Sequence, residues 1–381
     1  MPQPAAMATS STSPKPSVGI LSIGDMGVGI ARLLRHHGYE VYTVGAGRSQ
    51  HTLNRIKSAQ IKALDTDEAL VAESDIILSI VPPRDAVATA QRAHQACHSH
   101  TAIKRRQERT GLGRKLTYVD LNAVSPRTTR AIGALFSTPS NHLPTSPRLQ
   151  GIRRSFSFHR ADSESEQPEL QPVGVDFLDG GIIGGPPSLR EDQTWKRPSI
   201  VLSGPRHSEV LPSDFTELLN VRVVGDTIGA ASALKACFAS LSKGMIALSI
   251  LSFTTAHQAG VLPALEEHLR EFNPGALAAA KSGLTGMPPK AYRWVDEMRQ
   301  INETFVEEGG FGKDVLGETH GVFDGIAEVY KLIADDTVLG EERVESRKRG
   351  TEVSDVVECI GDGIKAKKRK VAGDNWRRNW S

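Results

Sequence analysis

Residues 18–23, VGILSI, form an apolar run that feeds directly into Gly24-Asp25-Met26-Gly27 and then into the helical spacing of GVGIARLLRHHG over 27–38. Many strand–helix turns carry two glycines, so the position of this one, opening the patterned chain, is what gives it meaning. Glycine lets the backbone approach a ligand closely, and the free N–H groups and dipole of the helix start favour negative charge, so such a unit cradles a diphosphate. In the glycine-x-glycine-x-x-glycine frame the three positions are Ser22, Gly24 and Gly27, with serine in the first place. The plain alternative is an ordinary tight turn. The placement between a buried strand and a helix, at the head of the patterned chain, argues for the cradle.

The pattern then repeats. Strand-like runs YEVYTV (39–44), IKAL (61–64), SDIILSIVPP (74–83), LTYVDLNAVSP (116–126), GVDFLDGGIIGGPP (174–187) and SIVLSG (199–204) alternate in the first half with helical segments such as DAVATAQRAHQA (85–96). Strands alternating with helices predict an α/β domain with a parallel, Rossmann-type sheet. From about 213 to 340 helical spacing dominates, with strand-like VRVVG (221–225) before the longest helix, which predicts an all-α C-terminal domain. The expected division is a disordered leader over 1–16, a dinucleotide-binding domain over 17–204, a helical domain over 205–345 and a basic tail over 346–381. Two stretches inside the first domain, basic 99–116 and Ser/Pro-rich 136–172, read as disordered insertions.

Composition narrows the function classes. The net charge of +2 hides two basic stretches, with six Lys/Arg against one Glu over 99–116 and seven against two Asp over 361–381. The remainder is acidic, so no nucleic-acid face is expected. Three cysteines without a CxxC spacing argue against a disulfide framework, and no metal site is expected; His94, Cys97, His98 and His100 read as a solvated helix end. No run of about 18 apolar residues predicts a membrane span. A cytoplasmic location fits this usage, and the run Lys367-Lys368-Arg369-Lys370 admits nuclear import as an alternative.

The end of the second strand speaks to cofactor choice. Sites for NAD place an acid there for the ribose hydroxyls, and sites for NADP place arginine and small hydroxyl residues. Here Val44 is followed by Gly45-Ala46-Gly47-Arg48-Ser49, without an acid. Arg48 and Ser49 therefore read as a 2′-phosphate site and NADP(H) as the cofactor. Asp25, Met26, Val81 and Pro82 complete the expected cofactor edge.

With these residues in view, GILSIGDMGVGIARLL resembles the N-terminal fingerprint of the β-hydroxyacid dehydrogenases, the group that includes 3-hydroxyisobutyrate and 6-phosphogluconate dehydrogenases. The segments 228–248 and 288–298 are similar to the C-terminal domain of a poorly characterised branch of that group. The resemblance implies two substrate loops and a catalytic lysine. Asp120-Leu121-Asn122-Ala123-Val124-Ser125-Pro126 resembles the first loop, with Asn122 where a serine is usual and Ser125 beside it. Asp179-Gly180-Gly181-Ile182-Ile183-Gly184-Gly185 resembles the second, with Ile183 for its serine and Gly184 and Gly185 left to offer N–H groups. Gly229 with Lys235 six residues on resembles the lysine motif, but Ala239 stands where an asparagine is usual, so 6-phosphogluconate is not supported as substrate.

A lysine in a nearly apolar helix, among Ala233, Leu234, Ala236 and Ala239, has its pKa lowered by burial and can act as general acid or base beside a nicotinamide. Lys243, eight residues on, lies on nearly the same face and reads as a ligand for a substrate anion, an alternative proton donor or a structural residue. The expected function is NADP(H)-dependent hydride transfer to or from a small carbonyl or hydroxy compound, and the resemblance implies a homodimer joined through the helical domain. The alternatives are an imine or ketimine reductase on the same scaffold and a non-catalytic NADPH-binding regulator.

Overall fold

The computed structural model describes residues 14–137, 171–317, 321–344 and 346–378, with side chains left out of the description at 207–208 and 371–378. Most of the expected leader, most of the 136–172 insertion, and Trp380 lie outside the described residues.

Eight strands form one sheet in the order β10-β9-β6-β5-β4-β1-β2-β3. They are β1 (Val18–Leu21), β2 (Val41–Val44), β3 (Lys62–Leu64), β4 (Ile76–Ser79), β5 (Leu116–Asp120), β6 (Val175–Ile183), β9 (Ser199–Ser203) and β10 (Val221–Gly225); β7 (Ser188–Leu189) and β8 (Trp195–Lys196) make a separate hairpin. All neighbours are parallel except β6 and β9, which run antiparallel with Asp179 opposite Ser203. The chain leaves β1 toward β2 on one side and β4 lies on the other, so a crevice opens at the carboxyl ends of β1 and β4, where open α/β sheets bind ligands. The fully buried patterns of β1, β4 and β5 are what a sheet covered on both faces requires.

Helices α1 (Asp25–His36), α2 (Gln50–Ser58), α3 (Asp67–Glu73), α4 (Pro83–Cys97), α5 (His100–Thr110) and α6 (Pro126–Ser137) cover the sheet. After the short helices α7 (His207–Val210) and α8 (Ser213–Leu218), the second domain contains α9 (Ala230–Gln258), α10 (Leu262–Phe272), α11 (Pro274–Gly286), α12 (Ala291–Glu307), α13 (Lys313–Leu316), α14 (Val322–Asp336) and α15 (Val353–Arg378). A second core joins Ala247, Ile250 and Phe253 of α9 to Met298 and Ile301 of α12, Tyr330 of α14 and Val356, Val357 and Ile360 of α15. By length and a mean hydropathy of 1.6, α9 alone among the described helices is apolar enough to cross a membrane. It carries Lys235 and Lys243 and packs in this core.

Three expectations are corrected. Segment 99–116 is not a disordered insertion: it contains α5 and leads into β5. Ala102 and Ile103 are buried, and the buried Arg106 donates to the carbonyls of Val71 (3.0 Å), Ser74 and Lys115 (2.9 Å). Arg109 donates to Ala72 O at 2.9 Å. The positive charge that looked like filler serves the carbonyl end of α3, where cations are favoured. Replacing Arg106 by methionine should cost about 2–3 kcal/mol, because it strands buried carbonyls; urea unfolding checks it, and a loss below about 0.5 kcal/mol would mean that water takes over.

The sheet also continues past the expected boundary at 204, since β10 pairs with β9. The expected tail is in part a core helix: Val356, Val357, Cys359 and Ile360 of α15 are buried, while residues 365–370 are exposed. Burial on one face outweighs the polar average of the segment.

Candidate active site between the two domains

The first part of the site is the turn after β1. Ser22 sits at φ 78°, a left-handed conformation that favours glycine and costs a serine about 1 kcal/mol. At Gly27 a Cβ would lie 2.3 Å from the carbonyl oxygen of Ser22, so only glycine fits. At Gly24 a Cβ would meet nothing within 4 Å. Gly24 is the N-cap of α1, and no side chain caps that helix. Uncapped N–H groups facing open space at the β1–β4 crevice suit a diphosphate.

Asp25, in the first turn of α1, is neutralised by Arg55 of α2 at 2.5 Å. Met26 packs its side chain against the sheet core, so only its backbone belongs to the turn. Arg48 is exposed and has no side-chain partner among the described residues. Ser49 caps α2 by accepting from Thr52 N at 3.3 Å. Val81 and Pro82 form the lip after β4, and Val81 N donates to Asn122 Oδ1 at 2.7 Å.

The second part is the grip of β6 on α9. The N-cap residue of α9 is Gly229, at φ 108° and without a side chain. The missing cap comes from the neighbouring strand. Asp179, fully buried, accepts through Oδ2 from Gly229 N (2.9 Å), Ser232 N (3.1 Å) and Ser203 Oγ (2.9 Å), and through Oδ1 from Ser232 Oγ (2.6 Å). Ser203 Oγ in turn accepts from Ala231 N at 3.0 Å. Two residues further along β6, a Cβ on Gly181 would meet Lys235 Cβ at 2.8 Å, so glycine is what lets the lysine stem lie on the strand. One residue beyond, Ile182 O accepts from Lys235 Nζ at 2.6 Å. The strand thus holds the helix end, the lysine stem and the ammonium group.

Burial pushes the Lys235 ammonium down to about 8, Lys243 adds to the depression, and Glu297 opposes it. Lys235 shares a narrow cleft with Ala123 and Val124 of the first domain, Ala236 and Ala239 of α9, and Glu297, Gln300 and Ile301 of α12. The cavity volume is about 10 Å³, close to the space one water needs. Burial works against the charge on Glu297, but Lys243, then Lys235, hold its carboxyl below the usual carboxylate range.

The structure brings Lys235 and Lys243 together and gives the other expected substrate residues different surroundings. Lys243 is ion-paired with Glu297 and lies 5.5 Å from the centre of the Trp294 ring. Asn122 is buried and hydrogen-bonded within the protein: besides holding Val81 N, it donates from its backbone to Asp120 Oδ1 (2.9 Å) and from Nδ2 to Ser79 Oγ (3.0 Å). It ties the lip after β4 to the start of the first loop. Ser125 is also buried; its hydroxyl donates to Glu303 and its N–H to Gln300 Oε1 at 2.8 Å, a latch between the domains. Gly184 and Gly185 are exposed just past the end of β6.

Asp120, opposite Asp179 in the sheet, has its carboxyl pushed up to about 7 by burial, with the Asn122 N–H pulling it down and Asp179 pushing it further up. Its Oδ2 has no hydrogen-bond partner among the described residues. The His94 and His98 rings lie 4.4 Å apart at an angle of 52°, and no group of metal-ligating side chains occurs among the described residues.

Glu297 and Gln300 were missed from sequence, and Asp179 and Gly181 were placed in the second loop without a role. Glu297 and Gln300 could have been found from the helical period of 288–300. The cap formed by Asp179 could not, because it joins residues 50 apart.

Family models and solved structures agree with this architecture. A model described as NADP oxidoreductase, coenzyme F420-dependent, matches residues 17–103. A model described as a domain of unknown function, DUF1932, matches residues 256–333. No curated protein matches the chain. The 3-hydroxyisobutyrate dehydrogenase of Mycobacterium tuberculosis, solved with L-serine, is 12% identical over 90% of this chain and 98% of its own, at a TM-score of 0.55. That of Salmonella typhimurium is 15% identical over 90% and 99%, at 0.51. A conserved protein of unknown function, described as structurally similar to 3-hydroxyacid dehydrogenases, is 22% identical over 84% and 97%, at 0.50. At these identities the likeness is one of fold.

Proposed function

We propose that this chain, which shares the fold of 3-hydroxyisobutyrate dehydrogenases and pairs an NADP oxidoreductase-type domain with a DUF1932 domain, is an NADP(H)-dependent oxidoreductase of the β-hydroxyacid dehydrogenase type acting on a small carbonyl or hydroxy compound. The observation that carries the reading is the Lys235 ammonium, shifted toward neutrality and held by the Ile182 carbonyl in the cleft between the domains.

The turn residues fit a dinucleotide. Gly24 and Gly27 with the start of α1 would hold the diphosphate, Arg48 the 2′-phosphate, and Val81 and Pro82 would border the ring. A bound nicotinamide would supply or accept the hydride. The chain's own part is to manage a proton. In reduction, Lys235 Nζ gives its proton to the oxygen that gains charge; in oxidation, neutral Nζ takes a proton from the hydroxyl. Glu297 keeps Lys235 from falling too far in pKa, and Lys243 keeps Glu297 charged. The apolar walls from Ala123, Val124, Ala236, Ala239 and Ile301 exclude water from the group being protonated.

A homodimer through the helical domain is part of this reading. Leu234, Phe238, Leu241, Met245 and Leu248 are exposed on α9 at spacings of three and four, a continuous apolar stripe of the kind that pairs helices.

Titration with NADPH and NADH tests the cofactor reading. Arg48→Ala is expected to weaken NADPH about tenfold, since it removes a charged contact to phosphate, and to leave NADH nearly unchanged. Equal effects on both would remove NADP preference, and failure of either dinucleotide to bind would remove the oxidoreductase reading. NADPH oxidation with aldehydes, keto acids and cyclic imines separates the carbonyl reading from an imine reductase.

A further inference from the structure

Four polar side chains stand side by side across the sheet. Ser79 of β4 is opposite Asp120 of β5, Asp120 opposite Asp179 of β6, and Asp179 opposite Ser203 of β9. Partners in register on neighbouring strands point to the same face, with the strands about 5 Å apart. All four are buried. The row starts under the lip after β4, where Asn122 holds Val81 and Ser79, and ends at the first turn of α9, which Asp179 caps.

The two carboxyls in this row have unlike surroundings. Asp179 accepts from Gly229 N, Ser232 N, Ser232 Oγ and Ser203 Oγ, and it faces the positive end of α9. Asp120 accepts at Oδ1 from Asn122 N at 2.9 Å, and its Oδ2 has no hydrogen-bond partner among the described residues. The two carboxyls therefore share no direct hydrogen bond. No cation compensates Asp120 either. β4 faces it with the Ser79 hydroxyl, β5 itself with Tyr118 two residues earlier, and β6 with Asp179. Arg92 and Cys97 of α4 act on Tyr118, and Asp179 is the charged group among the described residues that acts on Asp120. An ionised Asp120 would set a second buried negative charge, short of donors, beside one already there. A neutral carboxyl leaves only one hydroxyl unpaired, which costs far less.

We propose that Asp120 carries a proton in the folded protein, and that this neutral carboxyl is a positioning residue that leaves Asp179 as the sole charge gripping the helix of Lys235. Asp120 acts through Asp179: ionising it sets like charges side by side and weakens the hold of β6 on α9. Burial, with Asp179 adding to it, pushes the Asp120 carboxyl up to about 7, in the same sense. The position of the proton stands apart from the oxidoreductase reading, and the effect on turnover rests on it.

An ordinary aspartate titrates at 3.8, as in the unfolded chain, and the folded Asp120 near 7. Between those values the folded chain keeps a proton that the unfolded chain releases. The stability this gives is full below 3.8 and is lost as pH rises through about 7.

Infrared spectra and thermal melts of the full chain test the proposal, with Asp120→Asn and Asp179→Asn. Near pH 6 the wild type should show the carbonyl stretch of a protonated carboxyl that Asp120→Asn lacks, and this band should titrate away around pH 7 while the protein stays folded. Asparagine keeps the shape of the neutral acid, so the wild-type melting temperature should fall relative to Asp120→Asn between about pH 4 and pH 7. Asp179→Asn removes the neighbouring charge, so the band should be lost at lower pH than in the wild type. In turnover with NADPH, kcat of Asp120→Asn relative to the wild type should rise at least about twofold as pH passes 7, the lower end of coupling between neighbouring groups. Titration of Lys235 affects both proteins alike.

The proposal falls if the wild type shows no carboxyl band that Asp120→Asn removes, or if the two melting profiles run parallel. A band that titrates at the same pH in Asp179→Asn overturns the coupling of the two carboxyls. A kcat ratio that stays flat through pH 7 overturns the positioning role. If Asp120→Asn does not fold, the wild-type band and its shift in Asp179→Asn still locate the proton. Should NADPH not bind, or no substrate turn over, the oxidoreductase reading fails, and the band and the melts still decide the state of Asp120.

Discussion

Lys235→Met is expected to lower kcat by about 10²–10⁴, the range that a positioned acid–base group contributes, while making the protein more stable. The two effects share one cause. The ammonium is held in a place that disfavours its charge, so its pKa stands near 8 in the folded chain against 10.5 for an ordinary lysine. Between those values the unfolded chain binds the extra proton and the folded chain does not, so this residue adds stability as pH rises from about 8 to about 10.5. Below 8 the folded protein bears the cost of a buried charge. Methionine fills similar volume without that charge and should be worth about 1–3 kcal/mol at pH 7, after allowing for solvent screening.

Activity should follow the same group with a sign set by direction. Carbonyl reduction needs protonated Lys235 and should fall as pH rises through about 8; alcohol oxidation needs the neutral amine and should rise there. Denaturant melts across pH 7–10 and pH–rate profiles check both. A Lys235→Met protein that is active, or one that is inactive and also less stable, would mean that the side chain is a structural ligand of Ile182 and not a proton donor.

Asp179→Ala is expected to destabilise the protein by about 3–5 kcal/mol, the range for a buried charged acceptor whose partners are left unpaired. Four donors lose their acceptor together: Gly229 N, Ser232 N, Ser232 Oγ and Ser203 Oγ. Because Gly229 has no side chain, nothing local replaces the cap. The first turn of α9 should loosen, and Lys235 is little more than one turn further on. Activity should therefore fall beyond what the folded fraction explains, with kcat affected more than cofactor affinity. Chemical unfolding with NADPH titration on the folded variant separates the two. Asp179→Asn retains one acceptor oxygen and should recover part of the stability. If Asp179→Ala retained normal kcat once folded, the grip of β6 on the helix would be irrelevant to the position of the lysine.

How much was legible in the chain followed from how local each feature is. The VGILSI strand, the Gly24–Gly27 turn and the alternation through β5 are set by neighbouring residues, and the α/β sheet followed by a helical domain was readable from them. The stretch around α5 was misread because charge density was counted without asking where it points: Arg106 is one turn from Ala102 and Ile103, on a face that is buried. The start of α15 was misread for the same reason. Asn122 and Ser125 read as substrate-loop residues, and their hydrogen bonds run to Val81, Ser79, Gln300 and Glu303, which no local pattern reveals.

What the chain determined unaided was the set of short-range events: a strand that must turn on glycine, a helix whose first N–H groups lack a cap, and a lysine in an apolar helix. Tertiary structure alone decided what that lysine is. Its ammonium is held by a carbonyl 53 residues earlier, and its proton affinity is set by burial, by Lys243 further along the same helix and by Glu297 of another. Burial and charge–charge coupling act through space, and residues far apart in sequence acquire them only when the two domains close on each other.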